Sequence, residues 1–460
     1  MARKVSLIVS LLALGAAGGC KVYHALPLDR QAKAAALQAP DREHLRIEAQ
    51  RLRHPLLEPL AIDPRAGLGP EQAAVLAVLA NPDLRAIRDQ RALASAQLLE
   101  AGLLPDPVLS YAQEVPVTGS EAGAGTGHSL QLSLDLTSLL TRAGRRRAAR
   151  AEQASVDLDV AWQEWQVAEA AKLSVYRLAT LEPQLKAAQE LVAALAENLQ
   201  ALEPAAAAGD LTLGEAVLGR LALEAGRREA LGLEQARDRE RRALNALLGL
   251  PPREPLALAD PPREQDWTAL PSERELLAGL DRRLDLVALE KGYESEDAKV
   301  RLAVWSQFPS IGLSLGRSQD TSGVVTRSTG VAVSLPFLNG GRGLVAVENA
   351  TRRQLYDQYL ARLHHARSDL VQALADLEAV RGMIAISRAA LPELTAQARA
   401  SEILFREGKL DLPSRNLARM ALLAQKGTLA ALQRNLDELG VALELASGRT
   451  LSHPSKELRP

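Results

Sequence analysis

The sequence holds one cysteine in 460 residues, which excludes a disulfide framework and any metal site built from several thiolates. Aromatic residues make up only 3%, and 55 basic side chains nearly cancel 56 acidic ones. Such a balance, without a basic block, excludes a general electrostatic nucleic-acid binder. After the N-terminal segment no stretch offers the roughly 18 uncharged apolar residues of a transmembrane helix. No His-Glu-x-x-His and no glycine loop ahead of a lysine occurs, and the Gly-x-Ser-x-Gly string at 312–316 lies inside an alternating strand pattern, not at a strand-to-helix elbow. His364 and His365 are adjacent, so on a helix they diverge and cannot converge on one metal. Carboxylates fall in mixed-sign runs such as 234–242, the pattern of a solvated helix face. An enzyme, a cofactor or a resident metal therefore has little footing. What the chain does have is 47% hydrophobic residues, mostly Ala, Leu and Val among Glu and Arg, which is the composition of long packed helices.

The cysteine is informative by position. Arg3 and Lys4 precede an apolar run from Val5 to Leu14, followed by Gly15-Ala16-Ala17-Gly18-Gly19-Cys20. A basic start, a short apolar run and small residues form a secretory signal peptide over residues 1–20. The small residues before Cys20 resemble a bacterial lipobox, which implies that Cys20 is the lipidated first residue of the mature chain. Ala17 stands where that motif usually has a bulky aliphatic, and an ordinary signal peptide cut near Ala17 is the other reading. Residues 21–70 carry scattered prolines and no clear period, the pattern of an extended arm.

The rest of the chain is a repeat. Asp83, Leu84, Ala86 and Pro107 recur 202 residues later as Asp285, Leu286, Ala288 and Pro309. Gly144-Arg145 recurs as Gly341-Arg342, and Gly209, Arg220 and Gly249 recur 199 residues on as Gly408, Arg419 and Gly448. The matches are collinear, so repeat 1 spans 71–250 and repeat 2 spans 272–449, with a proline-rich linker at 251–271 and a polar tail at 450–460. Each copy reads as helix, two strands, long helix and return helix. The first helices are expected over about 71–104 and 272–306. The long helix of copy one is expected over about 145–203, closed by Pro204. The triplet Arg145-Arg146-Arg147 would then open it against the macrodipole, either as a solvated junction or as cations that pair with lipid phosphates at a membrane rim.

The strands are expected over about 107–117, 128–136, 309–317 and 329–337. Leu109 and Tyr111, then Leu130, Leu132 and Leu134, fall on one face in copy one. Ile311 and Leu313, then Val331, Val333 and Phe337, do the same in copy two. Alternation joined by Gly/Ser/Thr-rich turns predicts hairpins with one apolar, charge-free face and one polar face. Such hairpins fit a soluble helical domain or a membrane. At the far end of the long helices, Gly209 and Gly408 are the residues expected where a helix reverses through a left-handed position. Leu211 and Leu213, like Leu410 and Leu412, follow two and four residues later. They either staple the turn or dock into a partner's helical hairpin, with Arg220 and Arg419 farther up the return helices.

Over residues 71–449 these features resemble the TolC-like outer-membrane efflux proteins. The resemblance rests on Asn81-Pro82-Asp83-Leu84, the strand near Pro107, Gly144-Arg145-Arg146 with its echo Gly341-Arg342, and the Gly-x-Leu-x-Leu turns at Gly209 and Gly408. It implies a mainly α fold with a small β part, a homotrimer sharing a 12-stranded barrel and a helical periplasmic tunnel. The implied function is a passive exit duct in the outer membrane of a Gram-negative bacterium, lipid-anchored with a long periplasmic portion. Its implied partners are outer-membrane lipid, a periplasmic adaptor (membrane fusion) protein at the helical tips and an inner-membrane pump, with no nucleic acid and no cofactor. Some members of the family narrow the tunnel with rings of Asp; the matching positions here hold Ser414 and Leu417, with Glu215 and Asp411 the nearest acids. Barrel geometry points to the trimer separately. Four strands cannot close a membrane barrel, eight would be filled by their own side chains, and twelve leave room for water. A lipid-anchored periplasmic coiled-coil scaffold or adaptor is the competing reading.

Overall fold

The computed structural model describes residues 22–62, 67–118, 125–209, 212–259, 267 and 270–451. The chain divides at Pro40 into two units. The described part of the first holds only α1 (Arg30–Ala36), capped by the Asp29 carboxylate, which accepts from the Ala32 N–H at 2.8 Å. The second unit opens with α2 (Arg42–Arg51), capped by Asp41. The expected extended arm is therefore partly helical, because an aspartate N-cap precedes each short run.

Both first helices are broken where the sequence reading had them continuous. In repeat 1, α3 (Pro70–Ala80) ends at Asn81 and α4 (Pro82–Gly102) begins with proline at its first position. The Asn81 side chain accepts from the Asp83 and Leu84 N–H groups at 2.9 and 3.2 Å, which favours restarting the helix there. In repeat 2, α7 (Glu273–Ala278) passes through a short 3-10 turn, Leu280–Arg282, into α8 (Leu284–Trp305). The two breaks are used alike. Asn81 Nδ2 donates to the Leu247 carbonyl at 3.1 Å, and Arg283 Nη1 donates to the equivalent Ala446 carbonyl at 2.6 Å. Each repeat thus closes the end of its return helix onto the break in its own first helix. Gly249 and Gly448, at φ +63° and +69°, finish those return helices. A Cβ would meet the Ala80 oxygen at 2.6 Å in one and Arg283 Cγ at 2.6 Å in the other.

The strands β1 (Val108–Glu114) and β2 (Gly127–Asp135) lead into α5 (Leu136–Ala208), and α6 (Leu213–Leu247) returns. The second copy follows with β3 (Ser310–Gln319), β4 (Val325–Ser334), α9 (Arg342–Arg406) and α10 (Leu412–Ser447). At 73 residues α5 is about 110 Å long. It starts earlier than expected because the Asp135 carboxylate caps it, accepting from Thr137 and Ser138 N–H. Arg145 to Arg147 consequently lie inside the helix and do not face its positive end; Arg145 instead donates to the Ser138 carbonyl at 2.9 Å. Nor does Pro204 end α5, which runs on to Gly209 at φ +82°. Pro183, Pro204 and Pro392 all sit inside helices on exposed faces, where water can take the carbonyls they orphan. Gly144 and Gly341, aligned in sequence, also differ in role. Gly144 is helical and lets α5 approach Leu302, whereas Gly341 is the left-handed N-cap of α9 against Ser306.

Three buried clusters hold the long helices together. One joins α7, α9 and α10 around Trp267, Leu370, Leu377 and Leu443. A second packs Trp162 and Trp165 of α5 against α3, and a third joins α3, α5 and α6 through Val175, Leu178 and Leu244. Trp267 fits because residue 440 is glycine: a Cβ there would lie 2.2 Å from the indole. Beside it, the Trp267 Nε1–H donates to Asp437 at 3.5 Å. Burial pushes the Asp437 carboxyl up to about 6, only partly offset by that bond and one from Gln433. A carboxyl raised in the folded state binds its proton better there than in the unfolded chain. Its cost is absent below about pH 4, grows as the pH rises to about 6 and is then constant. Asp437→Asn is expected to stabilise the protein by on the order of 2 kcal/mol at pH 8 and to change little at pH 4. Thermal melts of the purified variant at the two pH values check this, and equal shifts at both would contradict it.

Candidate membrane face and helical tips

All four strands form one antiparallel sheet in the order β1-β2-β3-β4. The central β2–β3 pairing joins the two repeats. Directly paired residues share a face, so the register sorts the side chains into rows. Leu134, Leu313 and Val331 form one row; Leu109, Leu132, Leu315 and Thr329 form the next. Ile311 with Val333 lies nearer the helices. Tyr111 and Leu130 occupy the row beyond, toward the hairpin loops. Except for half-buried Leu134, these apolar side chains stand exposed, Leu109 by 57% and Val331 by 67%.

Phe337 is not among them. β4 ends at Ser334 because Pro336 has no N–H to give the ladder, and the Phe337 N–H turns back to the Leu335 carbonyl at 2.9 Å. Phe337 is nonetheless 83% exposed, at the helix end of the sheet. Trp305 and Phe308, which the sequence reading passed over, also lie at the helix–strand junction, exposed and 5.8 Å apart. At the opposite end the Tyr111 hydroxyl and His128 Nδ1 are 2.8 Å apart. Aromatic rings thus edge the apolar face at both ends. The other face is small and polar: Gly312, Ser314, Gly316 and Ser318 on β3 pair with Ala332, Gly330, Ser328 and Thr326 on β4.

The helical reversals lie at the other end of the long helices. Gly408 is left-handed like Gly209, and a Cβ on either would meet nothing within 4 Å. Conformation alone therefore requires these glycines. Leu211 lies outside the described residues, as do the side chains of Leu213 and Glu215. Leu410 and Leu412 are half-buried. The exposed apolar side chains come one to three turns later: Val217, Leu218 and Leu221 on α6, and Leu417 on α10. Leu218 and Leu417 are repeat equivalents, each 66% exposed. The period-3.6 pattern of α6 contains them, but nothing in a single sequence says that this stripe lacks a partner.

Arg220 pairs with Glu203 at 2.7 Å, and Arg419 is exposed. Arg415, which the sequence did not single out, lies over the Phe405 ring at 4.5 Å and pairs with Glu197 at 2.6 Å. It ties α10 of the second repeat to α5 of the first. Asp411 is the N-cap of α10, and bonds from the Ser414 hydroxyl and N–H hold its carboxyl below the usual range. Among the described residues no cluster of His, Cys, Asp and Glu is placed to hold a metal, and no helix is long and apolar enough to cross a membrane.

Residues 278–449 match the model of the outer membrane efflux protein family. No curated protein matches the chain in sequence. Among solved structures, VceC of Vibrio cholerae superposes with a TM-score of 0.65 at 19% identity, covering 83% of this chain and 96% of its own. The CmeC outer membrane channel of Campylobacter jejuni gives 0.67 at 17%, covering 82% and 85%. The outer-membrane channel OprN gives 0.69 at 18%, covering 94% and 99%. The match to the outer membrane efflux protein family is thus carried by the second repeat, and the fold of the chain is that of the outer-membrane channels.

Proposed function

We propose that three copies of this chain form a passive exit duct through the outer membrane of a Gram-negative cell. A periplasmic adaptor and an inner-membrane pump would load it, and no bond chemistry occurs in it. The observation that carries this reading is the four-stranded sheet with an exposed apolar face, open at both edges. In hydrocarbon those edges must be paired, and three sheets of four strands close a barrel of twelve. The small polar face then lines a lumen wide enough for water. Purified protein is expected to run as a detergent-stable trimer in native mass spectrometry and to give steady conductance in planar bilayers. A water-soluble monomer without conductance would favour the periplasmic scaffold.

The N-terminal anchor is part of the proposal, with Cys20 outside the described residues. Lipid on its thiol would hold the chain to the membrane independently of the barrel. Metabolic acyl labelling should vanish in Cys20→Ser while the trimer still inserts; label that persists refutes the anchor.

Docking of the adaptor at the tips is the third element. Half-burial of Leu410 and Leu412 supports stapling for them, whereas Leu218 and Leu417 present apolar area to a partner. Leu218→Ser combined with Leu417→Ser should leave trimer and conductance intact and reduce export by whole cells more than tenfold, since burying each leucine is worth about 2 kcal/mol. Normal export would remove these residues from the docking surface. A failure to trimerise would assign them to assembly.

A further inference from the structure

The exposed apolar face is broken by charge. Arg317 on β3 and Arg327 on β4 face each other directly in the register. They fall in the same row as Tyr111 and Leu130, so the apolar face is not charge-free as expected: Arg317 ends the expected third strand, and Arg327 precedes the expected start of the fourth. Like charges directly opposite on neighbouring strands destabilise a sheet. Both side chains are exposed, and neither guanidinium has an ion pair or hydrogen bond among the described residues. The described carboxylates of the sheet and its β3–β4 turn are committed elsewhere. Glu114 and Asp135 pair with Gly127 and Gly312 on the opposite face. Asp320 accepts from the Ser322 hydroxyl and N–H at 2.7 and 2.9 Å and from the Val324 N–H at 2.8 Å, closing its own turn.

The position of the pair is specific. On the helix side lie three apolar rows, ending with Leu109, Leu132, Leu315 and Thr329. On the loop side the next row is Gln113, His128, Gln319 and Val325. The arginines therefore mark the level where the face passes from apolar to polar, at the end farthest from the helices. If the helices are periplasmic, that level is the headgroup zone of the outer leaflet. A cation is tolerated near this interface, while at the bilayer midplane it costs about 2–4 kcal/mol. Two arginines whose Cβ atoms lie about 5 Å apart across neighbouring strands carry planar forks that match phosphate oxygens. Tyr111 in the same row has the amphipathic ring favoured at that depth.

We infer that Arg317 and Arg327 clamp the phosphate headgroup of an anionic outer-leaflet lipid, one clamp per chain. The clamp rests on the barrel reading above. It supplies the counter-charge that the arginine pair lacks among the described residues and fixes the depth of the barrel from its outer edge.

The test uses the full-length trimer in detergent, with native mass spectrometry counting retained lipid. The probes are bis-phosphorylated lipid A and the same lipid with its phosphates removed. Wild-type protein is expected to prefer the phosphorylated form about tenfold, the scale of one charge-assisted hydrogen bond. Arg317→Gln with Arg327→Gln should lose that preference, and Arg317→Lys with Arg327→Lys should keep part of it. A Gln variant that retains the lipid as wild type does overturns the clamp, as does complete displacement by excess inorganic phosphate, which would make this a free-anion site. Should the double variant fail to assemble, Arg327→Gln alone decides, and an unchanged preference overturns the proposal. Conductance separates the two readings. Protein that conducts without phosphate preference sinks the clamp and leaves the duct, whereas protein that neither conducts nor trimerises sinks both.

Discussion

Unpaired backbone is the constraint on which the rest depends. The outer edges of β1 and β4 present N–H and C=O groups with no partner among the described residues, and hydrocarbon would leave such groups no water. In the proposed duct, a sheet of four strands would therefore be completed by other copies. The β2–β3 pairing meets part of the demand by joining the repeats. The glycines keep the sheet's small face open. A Cβ on Gly316 would lie 2.6 Å from Ser328 Oγ, and one on Gly330 would lie 2.7 Å from Ser314 Oγ. These glycines leave room on the small face for the serine hydroxyls of the neighbouring strand.

The helical part answers a different problem, which is how to hold long helices in one arrangement without a thick core. Each repeat solves it by closing its return helix on the break in its own first helix, through Asn81 in one copy and Arg283 in the other. The chemistry differs and the geometry is kept. An amide caps one restart, while a guanidinium bonded to Asp285 at 3.0 and 2.9 Å serves the other. Duplication preserved the contact and not the residue.

Much of this was legible in the sequence, and the misses have identifiable causes. Strand faces were readable because period 2 survives in Leu130, Leu132 and Leu134. Phe337 kept that period past Pro336, so periodicity alone carried it into a strand the backbone could not extend. The break at Asn81-Pro82 has the signature of a cap followed by proline, but the apolar pattern on both sides concealed it. Arg327 escaped because the fourth strand was expected to begin only at 329, and Arg317, the last residue of the expected third strand, was left out of its apolar face, whereas hydrogen bonding runs through both. The tips were located by their glycines, yet which neighbouring side chains lack cover is a property of packing that one chain's sequence does not encode.

The buried charges were the least legible feature. Carboxylates in mixed-sign helical runs read as solvated, yet Lys172 is fully buried with Glu444 at 2.8 Å, Glu169 at 3.1 Å and Glu71 at 3.2 Å. Glu169 is only three residues away, but Glu444 is 272 residues away in the other repeat. Burial holds the Glu169 carboxyl well above the usual range despite Lys172 beside it, which relieves an otherwise surplus negative charge. Such a cluster is a poor source of stability, because desolvation offsets most of its attraction. Its geometry does something else. Alanine- and leucine-rich helices of this length can slide by a turn and still bury apolar area, but a slip of one turn, about 5.4 Å, would part the buried ammonium from Glu444. The cluster therefore penalises every register but one. That register sets α5 of the first repeat against α10 of the second, and with it the alignment of the two hairpins in one sheet.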